Sequence, residues 1–211
     1  MKPAIKATCR LLAAIAVLPL AITHQILSRI VGPDGSLETH TQLLAWLPGT
    51  LGSYLRVAFC RTALEYCSAS ATIGFGTLLS KVGARIEANV YIGPRCMLGL
   101  VTLQQDVLLG PAVQIPSGPQ THGTARLDIP IRQQPGTQVR VTVGRDSWIG
   151  AGAIVLADVG DQTIVGAGSI VTKPTASRVV VVGNPAAPLA ERSCATTMAG
   201  QAPGKLQEYQ G

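Results

Sequence analysis

Charge and aromatic rings are both scarce: 13% of the 211 residues are charged and 4% are aromatic. No basic stretch is interleaved with aromatic residues and no nucleic-acid motif is present, so nucleic acid is not an expected partner. The cysteines number five, an odd count, and no two form a CxxC pair. That implies no disulfide framework and no cysteine zinc site, and it suits a reducing compartment. Nor is there an unbroken apolar run of the ~20 residues that a membrane-spanning helix needs. Glycine and proline, by contrast, are plentiful, at 23 and 14 residues. Such a composition suits aliphatic side chains buried in short, stacked strands with frequent turns. The net charge of +6 is spread along the chain. It serves solubility, or it attracts an anionic ligand or membrane surface.

Lys2, Lys6 and Arg10 precede the apolar run LLAAIAVLPLAI at 11–22, which weakens towards Val31. A basic start and an apolar run mark a secretory signal, but no small-residue cleavage site comes after it. His24, Gln25, Ser28 and Arg29 interrupt a span, and Pro19 is expected to kink it. The expectation is a helix over 1–31 lying on, or dipping into, the inner leaflet of the cytoplasmic membrane, its cations on the headgroups. A soluble helix packed on the domain is the alternative. A second apolar stretch, 43–63, is broken by Pro48, Gly49 and Gly52 into two short helices. It either caps the first coil of a repeat that begins near residue 67, whose open end exposes a pairing edge, or lies near the membrane. Tyr54, Arg56, Phe59 and Tyr66 read as packing and interface residues.

From residue 73 onward aliphatic residues recur about every six positions, often followed by glycine. The pairs are Ile73-Gly74, Val82-Gly83, Ile92-Gly93, Leu98-Gly99, Leu109-Gly110, Val143-Gly144, Ile149-Gly150 and Val165-Gly166. Leu79, Ile86, Leu103, Ile115, Val155 and Val171 keep the rhythm without glycine. The steps slip by one residue between Leu98 and Leu103, and there is a step of ten between Val155 and Val165. A second apolar residue sits two before many of these, as Val90, Val107, Val113 and Val141 do. Two apart on a strand means one face. Each hexad is therefore one short strand with two inward side chains, then a turn, and the glycine is expected to relieve unusual torsions at the corner. Three hexads close a triangle, and about five stacked triangles are expected over 73–185, each burying its neighbour's apolar face.

The rhythm breaks at about 116–142, where the chain reads PSGPQTHGTARLDIPIRQQPGTQVR over 116–140. A long break inside a repeat is usually a functional excursion. It carries His122, the one histidine after residue 40, flanked by Gly118 and Gly123. These glycines allow a side chain to be presented at an unusual angle.

This pattern resembles the hexapeptide-repeat acyltransferases over about residues 70–190. The likeness is strongest in VGRDSWIGAGAIV, IVGAGSIVTKP and the closing Gly183-Asn184-Pro185-Ala186. These segments are similar to the sugar O-acetyltransferase branch, with the maltose, nodulation and polysaccharide acetyltransferases. The resemblance implies a mainly β fold, a left-handed parallel β-helix, behind N-terminal helices. It implies acetyl-CoA as co-substrate, a homotrimer with each active site between two subunits, and His122 as catalytic base. A base within ~3 Å of an acceptor hydroxyl removes its proton as it attacks the thioester. Imidazole titrates near neutrality, so it can also return that proton to the leaving thiolate. The same resemblance lays pantetheine along Trp148, Gly150, Ala151, Gly152, Gly166, Ala167 and Gly168, with Lys173 as a partner for a coenzyme A phosphate. Trp148 is too large for the triangular interior and is expected to face outward. Asp128 orients His122, binds the acceptor, or is only an exposed loop carboxylate.

The expected reaction is O-acetylation of a saccharide-bearing acceptor. An amine or serine-like acceptor, or a non-enzymatic scaffold, is the alternative. A zinc enzyme of the γ-carbonic-anhydrase type needs three imidazoles. Only His122 lies among the repeats, so no metal is expected. The chain thus divides into a helical region over 1–66, a β-helix over 67–190 and a polar tail over 191–211, expected to be flexible.

Overall fold

The structure, a computed structural model, describes residues 3–192. The tail expected over 191–211 lies outside the described residues from position 193 onward, as does Cys194. Four helices come first: α1 (Pro3–Ala16), α2 (Leu18–Val31), α3 (Pro33–Ala45) and α4 (Gly49–Ala63). The chain bends by 43° between α1 and α2. The bend falls at Val17, just before Pro19, where a proline breaks a helix. Pro19 itself occupies the opening turn of α2, where its missing N–H costs nothing. Among the described residues no single helix is long and apolar enough to cross a membrane, though the bent pair passes that test together.

The rest is a parallel β-helix of about six turns. Its coils begin at Tyr66–Cys67, one strand earlier than the glycine pairs show. The first face stacks Tyr66–Cys67, Arg85–Ile86, Val101–Leu103 and Val141–Val143. The second carries strands at 72–73, 91–92, 108–109, 148–149, 164–165 and 180–181 in register. The third carries those at 78–79, 97–98, 114–115, 154–155 and 170–171. Inward side chains form ladders, such as Ile73–Ile92–Leu109–Ile149–Val165–Val181 on the second face. All are buried, as are Val90, Val107, Val113 and Val141 two residues earlier in their hexads. Val82 is the exception. It is only half-buried at a corner, and Ala84 and Ile86 take the inward positions of that side. The step of ten conceals Val159, a buried residue bridged to Val143 on a side too short to form a strand.

The reason for glycine after most of the inward aliphatics is closeness of the neighbouring backbone, not torsion. A Cβ on Gly93 would lie 2.7 Å from the carbonyl of Gly110, and one on Gly150 would lie 2.5 Å from the nitrogen of Ala167. The left-handed torsions fall two residues later, at Gly76, Gly152 and Gly168, and also at Arg95, Asp106, Asp146 and other non-glycines. Most precede a buried residue at the entry to the next strand, such as Cys96 between Arg95 and the strand Met97–Leu98.

The helices close the first coil. Arg56 donates from Nε to the Ile73 carbonyl at 3.1 Å. Ser53 Oγ accepts from Ile73 N, Ala45 O accepts from Gly76 N, and Thr41 Oγ1 donates to Leu79 O. Backbone groups that would otherwise be an unpaired edge are thus satisfied by α3 and α4. At the far end the last strand, Val179–Gly183, folds back on Ala186–Glu191 as an antiparallel hairpin. Val181 is buried, and Val179 and Ala186 pack against the core beside it.

Candidate active site

The corner between the third and first faces throws out the excursion. It leaves after Ile115 and rejoins the coil at Val141. Its two limbs run antiparallel: Val139 N donates to Ser117 O at 2.9 Å and Thr137 N to Gln120 O at 2.7 Å. Buried Ser117 anchors the base by accepting from Leu100 N at 2.9 Å. Gln134, 6% exposed, pins the tip. Its amide donates to Arg126 O and Ile129 O and accepts from Arg126 N. The sequence reading missed Gln134, because a glutamine among polar loop residues carries no sign of burial.

This construction sets exposed His122 over the outer side of the third face. It lines a cleft of about 390 Å³ with Gln114, Ser117, Gln138, Lys81 and Glu38. The floor is apolar, with Met97 and Ile154 among its residues. Glu38 comes from α3, so the helical region supplies a polar wall of the cleft. Lys81 is tied to Asp34 of α3 at 3.0 Å, which fixes that wall. Neither residue carried a motif in sequence. Gly118 has φ +83° and meets the side chain of Val139, as a turn at the base of the limb requires. Gly123 does not adopt a left-handed torsion. It packs against Pro135 O instead.

Asp128 stands at the loop tip, paired with Arg126 through two hydrogen bonds, one of 2.9 Å from Nε. That guanidinium holds the Asp128 carboxyl below its ordinary range. Asp128 does not line the His122 cleft.

The glycine-alanine residues form a separate feature. Gly150-Ala151-Gly152 and Gly166-Ala167-Gly168 stack at the corner between the second and third faces, with Gly168 N donating to Ala151 O at 2.9 Å. A Cβ on Gly152 or Gly168 would meet nothing within 4 Å, so this corner is a bare strip. The strip and His122 therefore edge the third face from opposite sides. Trp148 lies elsewhere, on the second face, half-exposed in a hollow with Leu108, Ile164 and Arg192. Lys173 is exposed just after the third-face strand Ile170–Val171. One chain thus does not bring Trp148 into the cleft with His122. His24 and His40 are buried in the helical cap, engaged with Ser36 and Thr23. Among the described residues no group of His, Cys, Asp and Glu is arranged to hold a metal ion.

Stacked three-sided coils with inward aliphatics at every sixth position define a hexapeptide-repeat β-helix. No family model matches the chain. Over 80 residues it is 39% identical to Nodulation protein L of Rhizobium leguminosarum bv. viciae, a match covering 36% of this chain and 39% of that protein. The chain therefore aligns with well under half the length of that relative. Among solved structures, a maltose O-acetyltransferase from Clostridium difficile 630 superposes with TM-score 0.51 at 19% identity, over 77% of this chain and 88% of the other. A single-residue mutant of the N-acyltransferase AntD from Bacillus cereus, in complex with dTDP-4-amino-4,6-dideoxyglucose and coenzyme A, superposes with TM-score 0.51 at 18% identity, over 58% and 70%. The chain has the fold and repeat pattern of the hexapeptide-repeat acyltransferase family.

Proposed function

We propose that this protein transfers an acetyl group from acetyl-CoA to a hydroxyl of a saccharide-bearing acceptor, with His122 as general base. The observation that carries this reading is the excursion that breaks the repeat and stations an exposed imidazole over a cleft walled by Glu38, Gln114 and Gln138. Those side chains offer the donors and acceptors that a polyhydroxylated acceptor needs. The maltose O-acetyltransferase fold and the nodulation relative support the reading.

In this mechanism imidazole takes the acceptor's proton as its oxygen forms a bond to the thioester carbonyl carbon. The tetrahedral adduct then expels the thiolate, which receives the proton from His122. No covalent enzyme intermediate is needed. The bare strip at Ala151-Gly152 and Ala167-Gly168 is the proposed track for pantetheine, because a ligand can approach its backbone closely. The strip and His122 edge one face from opposite sides, so a homotrimer placing the strip of one subunit beside the loop of the next completes the site. Trp148 and Lys173 are assigned to the donor's outer portion in that assembly.

The test is thiol release from acetyl-CoA with mono- and disaccharide acceptors, run beside His122→Ala. Loss of about 10²- to 10⁴-fold is expected in the variant. Equal slow release by both proteins would leave only a scaffold. An alkali-stable product would move the acceptor to an amine.

The exposed side chains Leu18, Ile22, Ile26 and Ile30 recur every fourth residue as one stripe along α2, and Leu11, Leu12 and Ile15 of α1 are exposed as well. We assign this stripe to peripheral contact with the inner face of the cytoplasmic membrane. Ile22→Asp with Ile26→Asp should abolish flotation with vesicles. Undiminished flotation would refute the assignment.

A further inference from the structure

A second cleft, of about 490 Å³, opens between α1, the start of α4 and the second face of the first coils. Three cations line it, Lys6, Arg10 and Arg56, and no carboxylate does. None of the three forms an ion pair among the described residues. Arg56 is only 4% exposed. Its Nε and Nη1 donate to the carbonyls of Ile73, Leu44 and Leu47, at 3.1, 3.1 and 2.7 Å. Nη2 donates to no described residue. Arg10 Nε is buried and has no partner. Carbonyl dipoles solvate a guanidinium without neutralising it, and a charge withdrawn from water without a counter-ion is costly.

The cleft is thus short of an anion. We propose that it binds a phosphate ester. Two guanidiniums and an ammonium suit an anion with several oxygens, since each fork can grip two of them. Gly49 and Thr50, the opening turn of 15-residue α4, line the same cleft. They bring a helix N-terminus with no side-chain cap to that anion. The volume leaves space for an organic group beside the phosphate, with Tyr91 as a ring for it to rest on. This site does not depend on the acetyl transfer proposed above, and it lies against the second face, away from the His122 cleft.

The phosphate can come from a membrane lipid or from a soluble ester, and two arms distinguish them. In the first, the full chain is titrated calorimetrically with inorganic phosphate and glycerol 3-phosphate. In the second, it is floated with phosphatidylcholine vesicles with and without phosphatidylglycerol. Saturable soluble binding, weakened about tenfold by Arg10→Gln and further by adding Lys6→Gln, supports a soluble source. Flotation that needs phosphatidylglycerol and is lost in the double variant supports a lipid source. Thiol release with acetyl-CoA should be the same in the variant as in the parent. A phosphate-dependent rise in the parent's melting temperature supports the site without any substitution. Absence of both kinds of binding, or binding undiminished in the folded double variant, would overturn the proposal.

Discussion

A Cβ placed on Gly136 would stand 2.5 Å from the backbone nitrogen of His122 and closer still to Thr121 O. The return limb of the excursion therefore fits against the His122 peptide only because residue 136 has no side chain. Gly136→Ala must push the outward limb aside. A misplacement of about 1 Å at a reacting group costs on the order of a hundredfold in rate. Gly136→Ala is thus expected to lower thiol release about a hundredfold while leaving the melting temperature of the coils nearly unchanged. Full activity in this variant would mean that the position of His122 does not govern the reaction.

The two kinds of corner glycine differ in what they tolerate. Gly150 is pressed against the next coil, with Ala167 N 2.5 Å from where its Cβ would be. Gly152 has φ +68° but open space around it. Gly150→Ala must separate two stacked coils and should destabilise the protein by about 2–3 kcal/mol. Gly152→Ala carries only the left-handed strain, about 1 kcal/mol. Chemical denaturation of both variants measures the difference. Equal losses would show that torsion, not stacking, selects glycine in these turns.

Stability should fall with acidity through His24. Its Nδ1 lies 2.9 Å from Ser36 Oγ in the contact between α2 and α3, and Phe59 of α4 meets its ring edge-on. Burial first, and the neighbouring His40 second, hold its pKa below the ordinary 6.5. The unfolded chain takes up the proton at about pH 6.5, whereas the folded chain resists it. Stability is therefore level above that pH and declines below it, towards the depressed folded value. Melting curves recorded from neutral to mildly acidic pH should show this decline, and His24→Asn should flatten it. A decline of the same size in the variant would assign the effect to other groups.

Much of the fold is legible in the chain's own periodicity. A side chain returning inward every sixth residue is a local rule, so Ile73, Ile92, Leu109 and Ile149 declare their ladder without any knowledge of their partners. The break in that rule, and the histidine within it, are equally local. Val82 misled for the same reason: an aliphatic before glycine looks the same at a corner as on a strand.

What the sequence could not declare depends on segments far apart in the chain. Glu38 reaches the His122 cleft only because α3 lies across the end of the first coil. Gly136 matters to His122 only because the excursion doubles back on itself. Lys6, Arg10 and Arg56 meet only once α1 packs on α4. Pattern is set by neighbours in sequence, whose spacing the backbone fixes. A cleft is set by neighbours in space, and which surfaces those are is decided when the apolar faces of separate elements leave water together.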